Sequence, residues 1–67
     1  MGASNWVYLD VQEILRETDK AMLLRLESGE EVWIPLSQID DADTYSEGDR
    51  SCMISVTEWI AEQKGLA

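Results

Sequence analysis

Apolar and polar residues alternate along most of this chain, which is the pattern of strands with one buried face. A first strand is predicted over residues 6–12, with three inward side chains: Val7, Leu9 and Val11. Ile14 breaks the alternation, so the strand either bulges near residues 12–13 or ends there. A bend at Glu13 would divide this segment into two strands.

The strongest local signal is a hairpin over residues 20–34. Its first strand, residues 20–27, turns alternate side chains inward: Met22, Leu24 and Leu26. Gly29 can supply the positive φ of a tight connection to the next strand, residues 31–34. Pro35 is expected to end that strand, because proline cannot donate a ladder hydrogen bond.

The next part of the chain is predicted as a turn, a polar loop and a fourth strand. Leu36 or Ile39 is expected to close one end of the core, and residues 40–49 form the loop. Residues 50–56 alternate again. Their inward positions are Cys52, Ile54 and Val56, and their outward positions are Ser51, Met53 and Ser55.

The C-terminal segment has the signals of a short helix. Thr57 suits the N-cap, Glu58 suits the positive helix end, and Gly65 suits the stop. A helix this short needs packing to be stable. We expect three side chains to supply it: Trp59, Ile60 and Leu66.

These elements predict a mainly β fold. The expected architecture is a small SH3-like or OB-like barrel of four to five antiparallel strands with a short C-terminal helix. The alternative is an open antiparallel sheet with one helix on its face. Residues 1–5 are expected to be a flexible N-terminus, and residues 6–67 a single small domain.

Composition changes the picture chiefly through charge. The chain has fourteen acidic and five basic residues, which gives a net charge of −9. Its hydrophobic content of 45% still favours a folded domain. Such a chain repels phosphate backbones, so nucleic-acid binding is disfavoured, whereas a basic protein surface would be attracted. The lone cysteine, with no signal peptide or membrane-length apolar run, predicts a cytoplasmic protein without a membrane partner.

Catalysis is not predicted. The chain has no histidine, and its one thiol, Cys52, occupies an expected core position. The loop carboxylates are oxygen ligands of the kind that Ca²⁺ and Mg²⁺ prefer, but their spacing does not match an EF-hand loop. We therefore predict no metal site, no cofactor and no enzyme activity. The loop residues stay candidates for binding a partner: Asp40, Asp41, Asp43, Tyr45, Glu47 and Asp49.

Aromatic residues are the other binding candidates. Trp33 stands between two inward residues of its strand, so its side chain lies on the opposite face. Three roles are open for it: packing against whatever covers that face, joining two copies of the chain, or anchoring a partner as a hot spot. Trp6 and Tyr8 also alternate with an inward set, and we expect them to extend the same aromatic surface. Base stacking on such a surface would need a basic groove, which the outward positions lack.

Several segments resemble a known group of sequences: residues 20–24, 29–39, 48–49 and 56–66. The chain is similar to short uncharacterised phage, prophage and bacterial proteins that combine a V-W-I-P-x-S-Q-I block with an E-W-x-A-x-x-K-G-L tail. The resemblance implies no activity. It implies a phage-borne or mobile-element origin and a role as a small inhibitor or accessory protein.

Two functional hypotheses follow from these observations. The first is a non-catalytic protein-interaction module, such as a phage-type acidic inhibitor or accessory protein, that engages a basic partner surface. The alternative is a homo-oligomeric structural protein that pairs through a strand edge and Trp33. A nucleic-acid-binding small barrel is the third interpretation, and the net charge disfavours it.

Overall fold

The computed structural model describes residues 5–66, which form four strands and one α-helix: β1 (Trp6–Glu17), β2 (Ala21–Leu26), β3 (Glu31–Pro35), β4 (Arg50–Thr57) and α1 (Glu58–Gln63). The strands are antiparallel and form one sheet in the order β3-β2-β1-β4. The predicted mainly β fold with four antiparallel strands and a C-terminal helix is confirmed. β3 and β4 are edges of this sheet, which is not closed.

β1 continues past the point where the alternation breaks. Its pairing with β2 shifts between Val11 and Glu13 and again between Ile14 and Arg16, so of the two alternatives for residues 12–13 the bulge is correct and the strand end is not. The first shift restores Ile14 to the buried face, where its side chain is fully buried. β1 therefore stays one strand, pairing with β4 through its first half and with β2 through its second.

The β2–β3 hairpin has the predicted alternation. The three inward side chains of β2 are buried: Met22, Leu24 and Leu26. In the connecting turn Gly29 has a φ of +94°, and its N–H donates to the Leu26 carbonyl at 2.8 Å. The local pattern thus predicted both the buried face and the residue that allows the turn.

Pro35 is the last residue of β3, one position beyond the predicted end. Two hydrogen bonds at the ends of the hairpin set which residues face β2: Leu26 N–H to Glu30 O, and Leu36 N–H to Lys20 O, both 2.8 Å. Successive residues of an antiparallel strand direct their main-chain groups alternately towards and away from the neighbouring strand. Since Leu36 faces β2, the nitrogen of Pro35 points away from it. The strand includes the proline because no ladder bond is lost there.

The core lies on one face of the sheet and is closed by the chain that follows β3. Leu36–Gln38 forms a 3₁₀ turn, after which Ile39 is buried and bridges Val56 of β4. Leu36 is half-buried beside this core. In the described part of the chain, the core contains thirteen apolar residues: Leu9, Val11, Ile14, Met22, Leu24, Leu26, Val32, Ile34, Ile39, Ile54, Val56, Ile60 and Ala61.

β4 differs from the prediction at one position. Ser55 was expected to face outward and be accessible, but it is buried. Its carbonyl accepts a hydrogen bond from Asp40 N–H at 2.8 Å, so the chain after Ile39 runs alongside β4 at this point. A nonlocal segment covers the position, which alternation within β4 cannot indicate.

α1 begins and ends at its predicted residues. The Thr57 hydroxyl accepts a hydrogen bond from Ile60 N–H at 3.2 Å, as an N-cap does. At the other end, Leu66 N–H donates to Ala61 O and Gly65 N–H donates to Glu62 O, which is a Schellman motif. Leu66 packs against the core, as predicted.

The prediction that Trp59 belongs to the core is wrong, because its side chain is 58% exposed. α1 has only six residues, and its buried side is occupied by Ile60 and Ala61. Successive helical residues are separated by about 100°, so the neighbour of a buried pair turns outward. A single short helix has room for one such pair against the sheet.

The N-terminal prediction falls mostly outside the described residues, since residues 1–4 and 67 are not among them. Asn5 lies against the start of α1. Its carbonyl accepts from Glu58 N–H at 2.9 Å, and its amide group donates to the Glu58 carboxylate at 3.1 Å. Within residues 5–66, no helix has the length and apolar character needed to cross a membrane.

Candidate interaction surface

Among residues 5–66, large apolar side chains are exposed at five positions: Trp6, Tyr8, Trp33, Met53 and Trp59. Three of them share the outer face of the β1–β4 pair. Trp6 and Tyr8 are two residues apart in β1, and Met53 lies opposite Asp10, the next outward residue of the same strand. We call Trp6, Tyr8 and Met53 the aromatic face.

The members of the aromatic face are close enough to act together. Tyr8 is opposite Ser55, so Met53 is its diagonal cross-strand neighbour, a spacing that aromatic and long side chains can bridge. Tyr8 is 66% exposed and Met53 is 56% exposed. A rigid two-stranded ladder thus presents adjacent apolar side chains to solvent.

Acidic residues border this face. Asp10 stands directly opposite Met53 and is exposed. The acidic segment (residues 40–49) begins beside β4, where Asp40 N–H donates to Ser55 O at 2.8 Å. Further along, the Tyr45 hydroxyl donates to the Met53 carbonyl at 3.2 Å. The segment is therefore attached to the edge of the strand that supplies Met53.

The second half of the acidic segment is attached to β1. Gly48 N–H donates to Ile14 O and Ile14 N–H donates to Asp49 O, both at 2.8 Å. The carboxylate of Glu47 accepts from Glu17 N–H at 3.1 Å. Within the segment, the Asp49 carboxylate accepts from Ser46 N–H at 2.9 Å. Main-chain bonds hold both halves, so the predicted polar loop has a defined conformation.

The predicted loop candidates thus divide into two groups. Glu47 and Asp49 use their carboxylates to bind main-chain N–H groups. Tyr45 is partly buried against the core. Asp40, Asp41 and Asp43 are exposed, with Asp41 in the left-handed conformation at φ 53°. Residues 5–66 contain no cluster of three or more side chains suited to a metal ion.

Trp33 lies apart from the aromatic face, contrary to the expectation of one continuous surface. It pairs with Leu23 of β2, which pairs in turn with Arg16 of β1. Tyr8 precedes Arg16 by eight residues, which corresponds to roughly 26 Å of extended strand. Alternation correctly placed both aromatics outward but could not show how far the register separates them.

Basic side chains lie mainly elsewhere on the sheet. Arg25 bridges Glu13 at 3.7 Å and Glu31 at 3.6 Å, and Arg50 approaches Glu13 at 3.9 Å. Glu13, Arg25 and Arg50 border an open depression together with Gln12 and Ser51. The ion pairs within residues 5–66 include no acid of the acidic segment, so no basic side chain neutralises its exposed carboxylates.

Cys52 lies partly buried at the edge of the core, as its inward position predicted. Burial raises the pKa of the Cys52 thiol, and the negative charge of Asp49 raises it further. Both effects favour the neutral thiol over the reactive thiolate.

Two members of the exposed apolar set were missed as candidates. Met53 was correctly placed outward, and a large apolar residue at an outward position was the available signal. Trp59 carried no such signal, because its helix is too short for its buried side to be read from periodicity. Comparison with family models, curated proteins and solved structures finds no match to this chain.

Proposed function

We propose that the protein is a non-catalytic interaction module that presents the aromatic face and its acidic border to a basic partner surface. The observation that carries this proposal is the side-by-side exposure of Tyr8 and Met53 on a ladder whose edge holds the acidic segment. Apolar anchors surrounded by charge are the arrangement in which a few residues dominate binding energy.

The two parts of the surface have different effects on binding. The net charge of −9 accelerates encounter with a basic partner and makes the association rate depend on salt. The apolar side chains hold the complex together once they are desolvated, so their loss raises the dissociation rate. Asp40, Asp41 and Asp43 supply exposed charge beside the anchors.

The proposal extends to the biological role of the protein and to the architecture of its sheet. We assign it as a phage-type acidic inhibitor or accessory protein that acts in the cytoplasm. We also propose that the sheet curls towards a small SH3-like or OB-like barrel. The support is the strand β1, which bulges twice while pairing with both β2 and β4, and the Ile39–Val56 bridge across the far edge of β4.

Affinity capture from a bacterial lysate, with washes at low and high salt, tests the proposal. The double variant Tyr8→Ser with Met53→Ser should lose the captured partner, because both side chains are exposed and the fold does not need them. Trp59→Ser is the matched control, because Trp59 is an exposed tryptophan on α1, outside the aromatic face and outside β3. A partner retained by the double variant, or one insensitive to salt, contradicts the proposal.

Homo-oligomerisation is the second candidate, and the unpaired edge of β3 is the observation that favours it. Sedimentation at several protein concentrations separates the two functions. A monomer at all concentrations removes the oligomer, whereas a dimer broken by Trp33→Ser supports it.

A further inference from the structure

The edge of β3 offers main-chain groups to a further strand. Val32 and Ile34 face β2 in the ladder, so Glu31 and Trp33 direct their N–H and C=O groups away from the sheet. Among the hydrogen bonds of residues 5–66, these two N–H groups have no partner. The Pro35 carbonyl points the same way, which makes two donors and three acceptors in a row.

We propose that this edge accepts an extended basic segment of a partner protein as a fifth strand. Addition of a strand satisfies the outward main-chain groups and gives affinity without requiring a deep pocket. The inference rests on the β3 edge alone and does not depend on the aromatic face.

Side chains beside the edge define the chemistry of the segment. Glu31 and Trp33 lie on the same outer face, two residues apart. Arg25 of β2 contacts the Glu31 carboxylate at 3.6 Å on one side, and the half-exposed carboxylate is open to a Lys or Arg of the partner on the other. A partner residue opposite Trp33 should be apolar. Leu23, half-buried beside Trp33, extends the apolar contact. The segment therefore alternates basic and apolar residues at positions i and i+2.

A second copy of the chain fits the edge less well than a basic segment. Each copy has a net charge of −9, so two copies repel one another. In antiparallel self-pairing centred on Trp33, Glu31 would meet Pro35, whose missing N–H leaves the Glu31 carbonyl without a donor. A basic segment has neither defect.

The test uses a blocked heptapeptide of sequence TVTKTVT, in which valine and lysine occupy one face in either direction. Titration into the full chain is followed by amide chemical shifts and hydrogen exchange. We expect slowed exchange at Glu31 and Trp33, with little change at Val32 and Ile34, which already bond to β2. The counterpart peptide with glutamate in place of lysine should bind at least about fivefold more weakly.

Two variants probe the edge itself. Glu31→Pro removes an outward donor at a position where β2 loses no bond, and it should weaken peptide binding about fivefold or more. Glu31→Gln keeps the donor and removes the charge, so it should weaken binding less than Glu31→Pro. If Glu31→Pro does not fold, a peptide N-methylated at alternate residues removes the intermolecular bonds instead and should not bind.

Several outcomes overturn the proposal. It fails if the peptide slows exchange at neither Glu31 nor Trp33, or if the glutamate peptide binds equally well. Shifts confined to Tyr8 and Met53 would place the basic segment on the aromatic face, which supports the proposed function while rejecting the edge. Concentration-dependent protection of Glu31 without peptide would show that a second copy occupies the edge.

Discussion

The Tyr45 hydroxyl donates a hydrogen bond to the main-chain carbonyl of Met53, with 3.2 Å between the oxygens. This bond joins the acidic segment to the strand that carries one exposed member of the aromatic face. Charge and apolar surface therefore belong to one ordered structure, although eight residues separate the two partners in sequence.

Tyr45→Phe should loosen the acidic segment without unfolding the protein. Removing one partly exposed hydrogen bond lowers the free energy of unfolding by about 0.5–1.5 kcal/mol. Urea unfolding measures this loss, and amide exchange at Asp40 should accelerate. Tyr8→Phe is the control, since that side chain is exposed. Equal effects of both variants would show that the Tyr45–Met53 bond does not hold the segment.

Because of the bulge in β1, we expect substitutions at the neighbouring residues Ile14 and Leu15 to differ in their effect on stability. Ile14→Ala should lower the free energy of unfolding by about 2–5 kcal/mol, because Ile14 is fully buried in the core. Leu15→Ala should cost clearly less, since Leu15 is only half-buried. Chemical denaturation of the two variants compares them directly. A larger loss at Leu15 would mean that the register shift lies elsewhere.

Ser51 has a φ of 52°, a conformation that costs a residue with a Cβ about 1–2 kcal/mol. Ser51→Gly relieves this strain but gains flexibility in the unfolded chain, so we expect stabilisation of up to about 1 kcal/mol. Ser51→Ala keeps the Cβ and should not stabilise. Thermal unfolding of both variants provides the measurement. A glycine variant less stable than the alanine variant would contradict the assignment of a strained, positive φ to Ser51.

Cys52 should make the protein less stable in alkali. Its folded pKa is raised by burial and by Asp49, so the unfolded chain ionises first as pH rises. The contribution of the neutral thiol is complete below the unfolded pKa of about 8.5 and is lost above it. Between neutral and alkaline pH, the free energy of unfolding should fall more steeply for the wild type than for Cys52→Ala. Parallel curves would show that folding leaves the thiol pKa unchanged.

Local signals predicted much of this fold. The alternation of Met22 and Leu24, the positive φ of Gly29 and the cap at Thr57 each depend on a few neighbouring residues. Such features are encoded within one strand, turn or helix end. They were sufficient to predict four antiparallel strands and the helix that follows them.

Nonlocal relationships were harder to predict. The separation of Trp33 from Tyr8 depends on register across three strands. The burial of Ser55 depends on a segment that begins fifteen residues earlier, at Asp40. Exposure of Trp59 depends on which two neighbours the sheet can accommodate. Each outcome was decided by pairing between elements, which a single sequence does not display.

The central claim is that the aromatic face binds a basic partner. Its most direct test is the dissociation constant of the captured partner for the wild type and for the double variant Tyr8→Ser with Met53→Ser. We expect affinity to fall by about 30-fold or more, as loss of at least 2 kcal/mol at a hot spot requires. An unchanged dissociation constant in the folded double variant would contradict the claim.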